Sequence, residues 1–204
     1  LTGIAGYTAV AGLVVLVPGA DTLVVVRNTL RGGSGSAVRT TAGVCAGLVA
    51  WALLSSAGLA AAVAASPTLF AVLKAAGAAY LVYLGVQALI SSSRPAATEP
   101  VLPAGRDWRQ GALTSLGNPK VGVFYTSLLP QFLPSHGSPL AASVLLAAIH
   151  IALSFLSLIA YGVLASRMGD IFRKEKWSRV LETTAGVALC AIGLWLLVSA
   201  VAEN

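Results

Sequence analysis

The sequence predicts an all-α polytopic membrane protein with six transmembrane helices in two inverted three-helix repeats. Three observations carry this expectation. Hydrophobic residues make up 57% of the 204 and charged residues only 10%, against roughly 25% charged in soluble domains. The apolar residues gather into six runs, each near the ~20 residues that a bilayer crossing needs. Two of the runs carry a proline beside an ionisable residue, at Val17-Pro18-Gly19-Ala20-Asp21 and at Asn118-Pro119-Lys120.

The first run covers 3–26. It lacks a basic leading region and continues past signal-peptide length, so it is expected to be retained. Pro18 and Gly19 interrupt its helical hydrogen-bond ladder. Asp21 then stands where hydrocarbon charges roughly 2.5–3.5 kcal/mol for a carboxylate. A plain anchor gains nothing from that combination, which reads as a broken helix carrying a ligand group. The basic connection from Arg27 to Arg39 follows, with Gly32-Gly33-Ser34-Gly35 read as a flexible turn. The second run, 39–65, contains Gly43-x-x-x-Gly47, a spacing that suits close helix packing. Its Thr40, Thr41, Ser55 and Ser56 are expected to bond their own helix backbone.

The third run, 69–91, holds Lys74 near its outer end, where the side chain can snorkel out. It also holds Tyr80 and Tyr83, candidates to line a path. Residues 92–108 are Pro/Ala-rich and polar, a linker between halves. In the fourth run, 110–133, Lys120 lies too deep for an easy exit, and Gln131 is a further path-lining candidate. The fifth run, 139–166, contains His150, which can titrate near neutral pH. The charged stretch Arg167–Arg179 is expected to form a short interfacial helix before the sixth run, 180–201. Cys45 and Cys190 sit within apolar runs and outside any Cys-x-x-Cys pair, so they read as buried apolar residues and not as zinc or redox sites.

Eleven of the thirteen Lys and Arg residues fall in the first, third and fifth connections. The net charge of +6 is therefore a topology signal and not a nucleic-acid footprint. By the positive-inside tendency these connections are cytoplasmic and both termini lie outside. Trp108 and Trp177 flank cytoplasmic helix ends, at headgroup level. The third and sixth runs resemble each other weakly, each with a spaced pair of glycines (Gly77 and Gly85, Gly186 and Gly193). The first and fourth share a proline beside a charge. The chain is thus expected to be one transmembrane domain, 1–204, with repeat one about 1–91, the linker about 92–108 and repeat two about 109–204. Three helices per repeat turn the second copy over, a recurrent plan of secondary transporters.

The residues now resemble a known family. Pro18-Gly19-Ala20-Asp21-Thr22-Leu23, the basic connection after it and Gly43-x-x-x-Gly47 look like the first half of the LysE-type amino-acid exporters, the group of the lysine, threonine and homoserine exporters. Gly77-Ala78-Ala79-Tyr80-Leu81-Val82-Tyr83-Leu84-Gly85 is similar to its third helix. Gly117-Asn118-Pro119-Lys120, with Phe124 and Leu129-Pro130-Gln131-Phe132, is similar to its fourth. One departure is Ala20, where the family's motif usually has a second proline; a softer kink is expected. The resemblance implies export of amino acids or close derivatives across the bacterial plasma membrane by proton or ion antiport. Its partners are then the lipid bilayer, the amino acid and a coupling proton or ion, without nucleic acid or cofactor, and a homo-oligomer is compatible with it.

A zwitterionic substrate brings one ammonium and one carboxylate into a low-dielectric site. Asp21 and the carbonyls freed by Pro18 suit the ammonium. Lys120, Asn118 and the amides of a broken fourth helix suit the carboxylate. Pro18, Gly19, Asp21, Asn118, Pro119 and Lys120 are therefore the candidate binding or coupling residues, with Tyr80, Tyr83, Gln131 and His150 along the path. If Asp21 pairs with Lys120 and substrate displaces the pair, Asp21 can load and release a proton. The plainer alternative is an ion pair that only docks two helices. An intramembrane aspartyl protease would need two carboxylates sharing a proton, and Asp21 is alone in its run, so no catalytic residue is expected. A carrier for divalent metal ions or another small solute on a related fold is the competing function; it calls for clustered His, Cys or carboxylate ligands, which the sequence does not group, and no metal site is expected.

Overall fold

The computed structural model describes residues 3–65, 67–91, 106–133, 138–168 and 175–202. Nearly all of these are helical and none lies in a strand. In chain order they form α1 (Ile4–Leu16), α2 (Ala20–Ala65), α3 (Pro67–Ser91), α4 (Asp107–Leu116), α5 (Pro119–Val123), a π turn (Phe124–Leu128), a 3-10 turn (Leu129–Phe132), α6 (Pro139–Arg167) and α7 (Glu175–Ala202). Residues 92–105 of the predicted 92–108 linker and the side chains of Lys74 and Trp177 lie outside the described residues, and Asp107 and Trp108, expected at the linker's end, instead open α4. Of the charged stretch Arg167–Arg179, expected to form a short interfacial helix, residues 169–174 lie outside the described residues and Glu175 onward opens α7.

The distribution of polarity suits lipid. Leu53, Leu54, Leu156 and Val198 are between 65% and 69% exposed, whereas Asn28, Thr40, Gln110, Ser115 and His150 are buried. In a bilayer, polar side chains face the bundle interior and lipid meets the apolar surface. Among the described residues, Ala20–Ser56 within α2 and the whole of α6 are long and apolar enough to cross by themselves. The first and fourth apolar runs are not single helices, because each breaks at its proline.

Both breaks have one cause. The residue before a proline is pushed out of the helical region, and Val17 (φ −70°, ψ 116°) and Asn118 (φ −77°, ψ 109°) are both extended. Pro119 then occupies the first position of α5, where a missing N–H costs nothing. Asn118 caps that helix, its side chain accepting the Lys120 amide at 3.0 Å. A second proline, Pro130, follows closely; the ladder widens to an i→i+5 bond, Leu129 N–H to the Phe124 carbonyl, just before it.

The connection from Arg27 to Arg39 is not the flexible turn that its glycines suggest. It is helical on both sides of Gly33, where the backbone takes φ 68°. The reason is tertiary. Ser36 Oγ donates to Asp107 Oδ2 at 2.8 Å, Arg39 pairs with the same oxygen at 3.0 Å, and Asn28 Nδ2 donates to Thr40 Oγ1 and Gln110 Oε1. These bonds hold the segment against α4 and confine the irregularity to one residue. Gly33→Ala places a side chain at positive φ with ψ −164°, a region open essentially to glycine alone, which costs roughly 1–3 kcal/mol. We expect a lowered unfolding temperature in detergent, whereas Gly12→Ala, a position with no atom within 4 Å of an added Cβ, stays neutral or gains slightly.

Close backbone contact ties the bundle together. A Cβ at Gly43 would strike the Trp108 carbonyl, one at Gly111 the Thr40 carbonyl, and one at Gly47 would lie 2.7 Å from Ser115 Cβ. Gly43 and Gly47 on α2 therefore meet Gly111 and Ser115 on α4, the close approach expected of their spacing. The glycines that link the third and sixth runs in sequence also touch. A Cβ at Gly85 would come within 2.7 Å of the Gly186 carbonyl, and one at Gly193 within 2.9 Å of the Ala78 carbonyl.

Candidate functional site

A helix ends with backbone carbonyls that have no partner along the chain. At the end of α1, Pro18 has no N–H to offer the Val14 carbonyl, and extended Val17 turns its own carbonyl aside. Lys120 Nζ donates to both, at 3.3 Å to Val14 O and 2.9 Å to Val17 O. The ammonium thus replaces the donor that proline removed, at the negative end of the helix dipole. Gly19 makes the approach possible: a Cβ there would lie 3.3 Å from Lys120 Nζ. The two breaks, far apart in sequence, meet at one lysine.

Two aromatic side chains complete the helix ends. Tyr161 on α6 donates its hydroxyl to Leu16 O at 2.8 Å, and Trp51 on α2 donates Nε1 to Leu116 O at 3.2 Å. Each therefore satisfies a carbonyl that faces a break. Neither was singled out from sequence. A tryptophan in the middle of an apolar run, away from headgroup level, was the available signal for Trp51.

Asp21 lies in the first turn of α2, where a carboxylate complements the helix N-terminus. Asn118 and Lys120 are its polar neighbours, yet Asp21 Oδ1 and Asn118 Nδ2 both lack a hydrogen-bond partner. Among the described residues Asp21 makes no ion pair within 4 Å, so the expected Asp21–Lys120 pair is not formed; the α1 carbonyls hold the ammonium instead. In this state Lys120 occupies the carbonyls that the sequence reading offers to a substrate ammonium.

Asp21 and Lys120 share a small, partly open cavity of about 30 Å³ with Thr22, His150 and Ser154, walled by aliphatic side chains. His150 stacks on Phe124 with ring centroids 3.8 Å apart, and its Nδ1 lies 3.3 Å from the Tyr125 hydroxyl. Thr22, Ser154 and Tyr125 had no sequence signal to separate them from ordinary helix-bonding residues.

The remaining candidates lie elsewhere. Asn118, Pro119 and Tyr80 border a separate open cleft of about 250 Å³ beside Trp51. Tyr83 stacks on Tyr80 at 5.6 Å and accepts from Gln87. Gln131 turns back onto the carbonyl of Ser127 and does not border the Asp21 cavity. Thr40 and Ser55 bond their own helix as expected, but the hydroxyls of Thr41 and Ser56 have no partner. Cys45 and Cys190 are free and half-buried, less covered than their apolar runs suggest.

A carboxylate, an ammonium and an imidazole thus border one water-sized space between two broken helices, with the Asn118 amide beside the carboxylate. The chain is 29% identical to the uncharacterised membrane protein YrhP of Bacillus subtilis, over 92% of this chain and 95% of that protein. It is 30% identical to a homoserine/homoserine lactone efflux protein of Salmonella typhimurium, over 93% of each. With a leucine efflux protein of the same organism it shares 37% identity, across 62% of this chain and 61% of that protein. No solved structure matches. The LysE type translocator model matches residues 13–200, a span that takes in both proline breaks and every helix packed around them; the chain belongs to the LysE family of membrane translocators and is not an enzyme.

Proposed function

We propose that this protein exports small amino acids or close derivatives from the cytoplasm by proton or ion antiport. The observation that carries the reading is the meeting of the two breaks: Lys120 of one reaches the α1 carbonyls of the other, with Asp21 in the same cavity. Discontinuous helices whose ends converge near one point are how secondary transporters hold charged solutes in a bilayer. The relatives named for leucine and for homoserine efflux favour a substrate with an uncharged side chain.

The architecture we propose is six spans in two inverted repeats, with both termini outside and the basic connections cytoplasmic. Repeat one runs to about 91 and repeat two from about 109. In this arrangement α1 and the start of α2 are one broken span, and α4, α5 and the turns after it are its inverted counterpart. The paired caps support this symmetry. Tyr161, from the fifth span, serves the carbonyl facing the first break, and Trp51, from the second span, serves the one facing the second. The glycine contacts between α3 and α7 join the two spans that an inverted repeat makes equivalent.

A flux screen tests the reading. Purified protein in liposomes is expected to move labelled leucine or homoserine, and to move it faster with a pH gradient imposed. If no amino acid moves while divalent metal ions do, the carrier reading for metals replaces this one.

A further inference from the structure

We propose that Lys120 is a tethered stand-in for the substrate's ammonium, which seats itself on the Val14 and Val17 carbonyls when the carrier is empty and yields them when substrate binds. The inference rests on the exporter reading. The seat has the chemistry of an ammonium site: two helix-terminal carbonyls accept from one –NH₃⁺ at 3.3 and 2.9 Å. A lysine side chain and the α-ammonium of an amino acid present the same three donors. The cavity beside the seat, about 30 Å³, holds a water and not an amino acid, so substrate enters only if Lys120 moves. Its four-carbon stem allows that movement.

What Lys120 leaves open supports the exchange. Asp21 Oδ1 is a buried acceptor without a partner, and Asn118 Nδ2 a buried donor without one. Asp21 faces the seat from α2 and His150 from α6, while α1 supplies carbonyls alone. A substrate ammonium placed on the carbonyls meets Asp21, and the released Lys120 meets the substrate carboxylate beside Asn118. Charge is balanced before and after the swap. When substrate leaves, Lys120 reseats, and no orphaned α1 carbonyl opposes the return of the empty carrier.

Removing Lys120 therefore hinders the return step more than the loaded step, turning a net exporter into an exchanger. The test measures two fluxes from the same proteoliposomes, with labelled leucine and with labelled homoserine: net efflux, and exchange against unlabelled substrate outside. In Lys120→Met both fluxes are expected to fall, because the substrate carboxylate also loses a partner, with net efflux falling about tenfold further than exchange. Gly19→Ala, which sets a methyl group against Lys120 Nζ, is expected to give the same split with smaller amplitude and guards against a Lys120 variant that fails to fold. Equal loss of both fluxes in both variants, or no loss of either, overturns the proposal. Wild-type exchange without net efflux overturns it alone, whereas a wild type that moves neither amino acid in either mode overturns the exporter reading beneath it.

Discussion

Asp21→Asn is expected to abolish gradient-driven efflux and leave membrane insertion intact. Insertion depends on the apolar runs, and removing a charge from one of them lowers its cost. Function depends on what the charge faces. Asp21 is the carboxylate that borders the cavity of Lys120 and His150, and its Oδ1 has no partner within the protein. Taking one member from a buried group of charges costs roughly 3–5 kcal/mol, which corresponds to two or three decades in affinity or rate. Asparagine keeps the shape and cannot carry a proton. The measurement is proton-coupled efflux of labelled leucine from proteoliposomes holding equal amounts of wild-type and variant protein. Undiminished coupled efflux would remove Asp21 from the mechanism.

The largest effect on stability is expected at the crossing of α2 and α4. Gly43→Leu and Gly111→Leu each drive side-chain atoms into a backbone carbonyl, of Trp108 in one case and Thr40 in the other. A flexible side chain can turn aside; a helix backbone has to move as a unit. Overpacking of this kind costs about 1–3 kcal/mol or more, equivalent to a loss of roughly 2–12 °C in unfolding temperature for a chain of this size. The same crossing carries the Asn28–Gln110 bond, so the variants are expected to lose polar contacts as well as packing. Thermal unfolding in detergent checks this, with Gly58→Ala as the control, because an added Cβ there has nothing within 4 Å. An unchanged unfolding temperature in both leucine variants would mean that the two helices do not cross so closely.

Much of the site was legible in the chain because membranes make its ingredients rare. A proline and a charge inside an apolar run stand out against hydrocarbon, where each carries a cost that a spanning helix has no reason to accept. Pro18, Asp21, Asn118 and Lys120 announce themselves in that way. Gly43, Gly47, Gly85 and Gly186 were visible as small residues at helical spacing, and all four lie at helix contacts. Serine, threonine and tyrosine carry no such signal, since each is tolerated in a membrane helix by bonding its own backbone. Thr22, Ser154 and Tyr161 therefore read as ordinary residues until their neighbours are known.

The sequence by itself determined that the chain is helical and belongs in a membrane, that two of its apolar runs break, and which residues stand at the breaks. These follow from local rules: apolar run length, the missing N–H of proline and the restricted residue before it. Tertiary structure alone decided what the breaks do to each other. Whether Lys120 would pair with Asp21 or with carbonyls is settled by side-chain reach and by the space that Gly19 leaves. The same holds for the bend at Gly33, where bonds to α4 keep a glycine-rich connection helical. Such outcomes depend on distances between segments that local sequence does not encode.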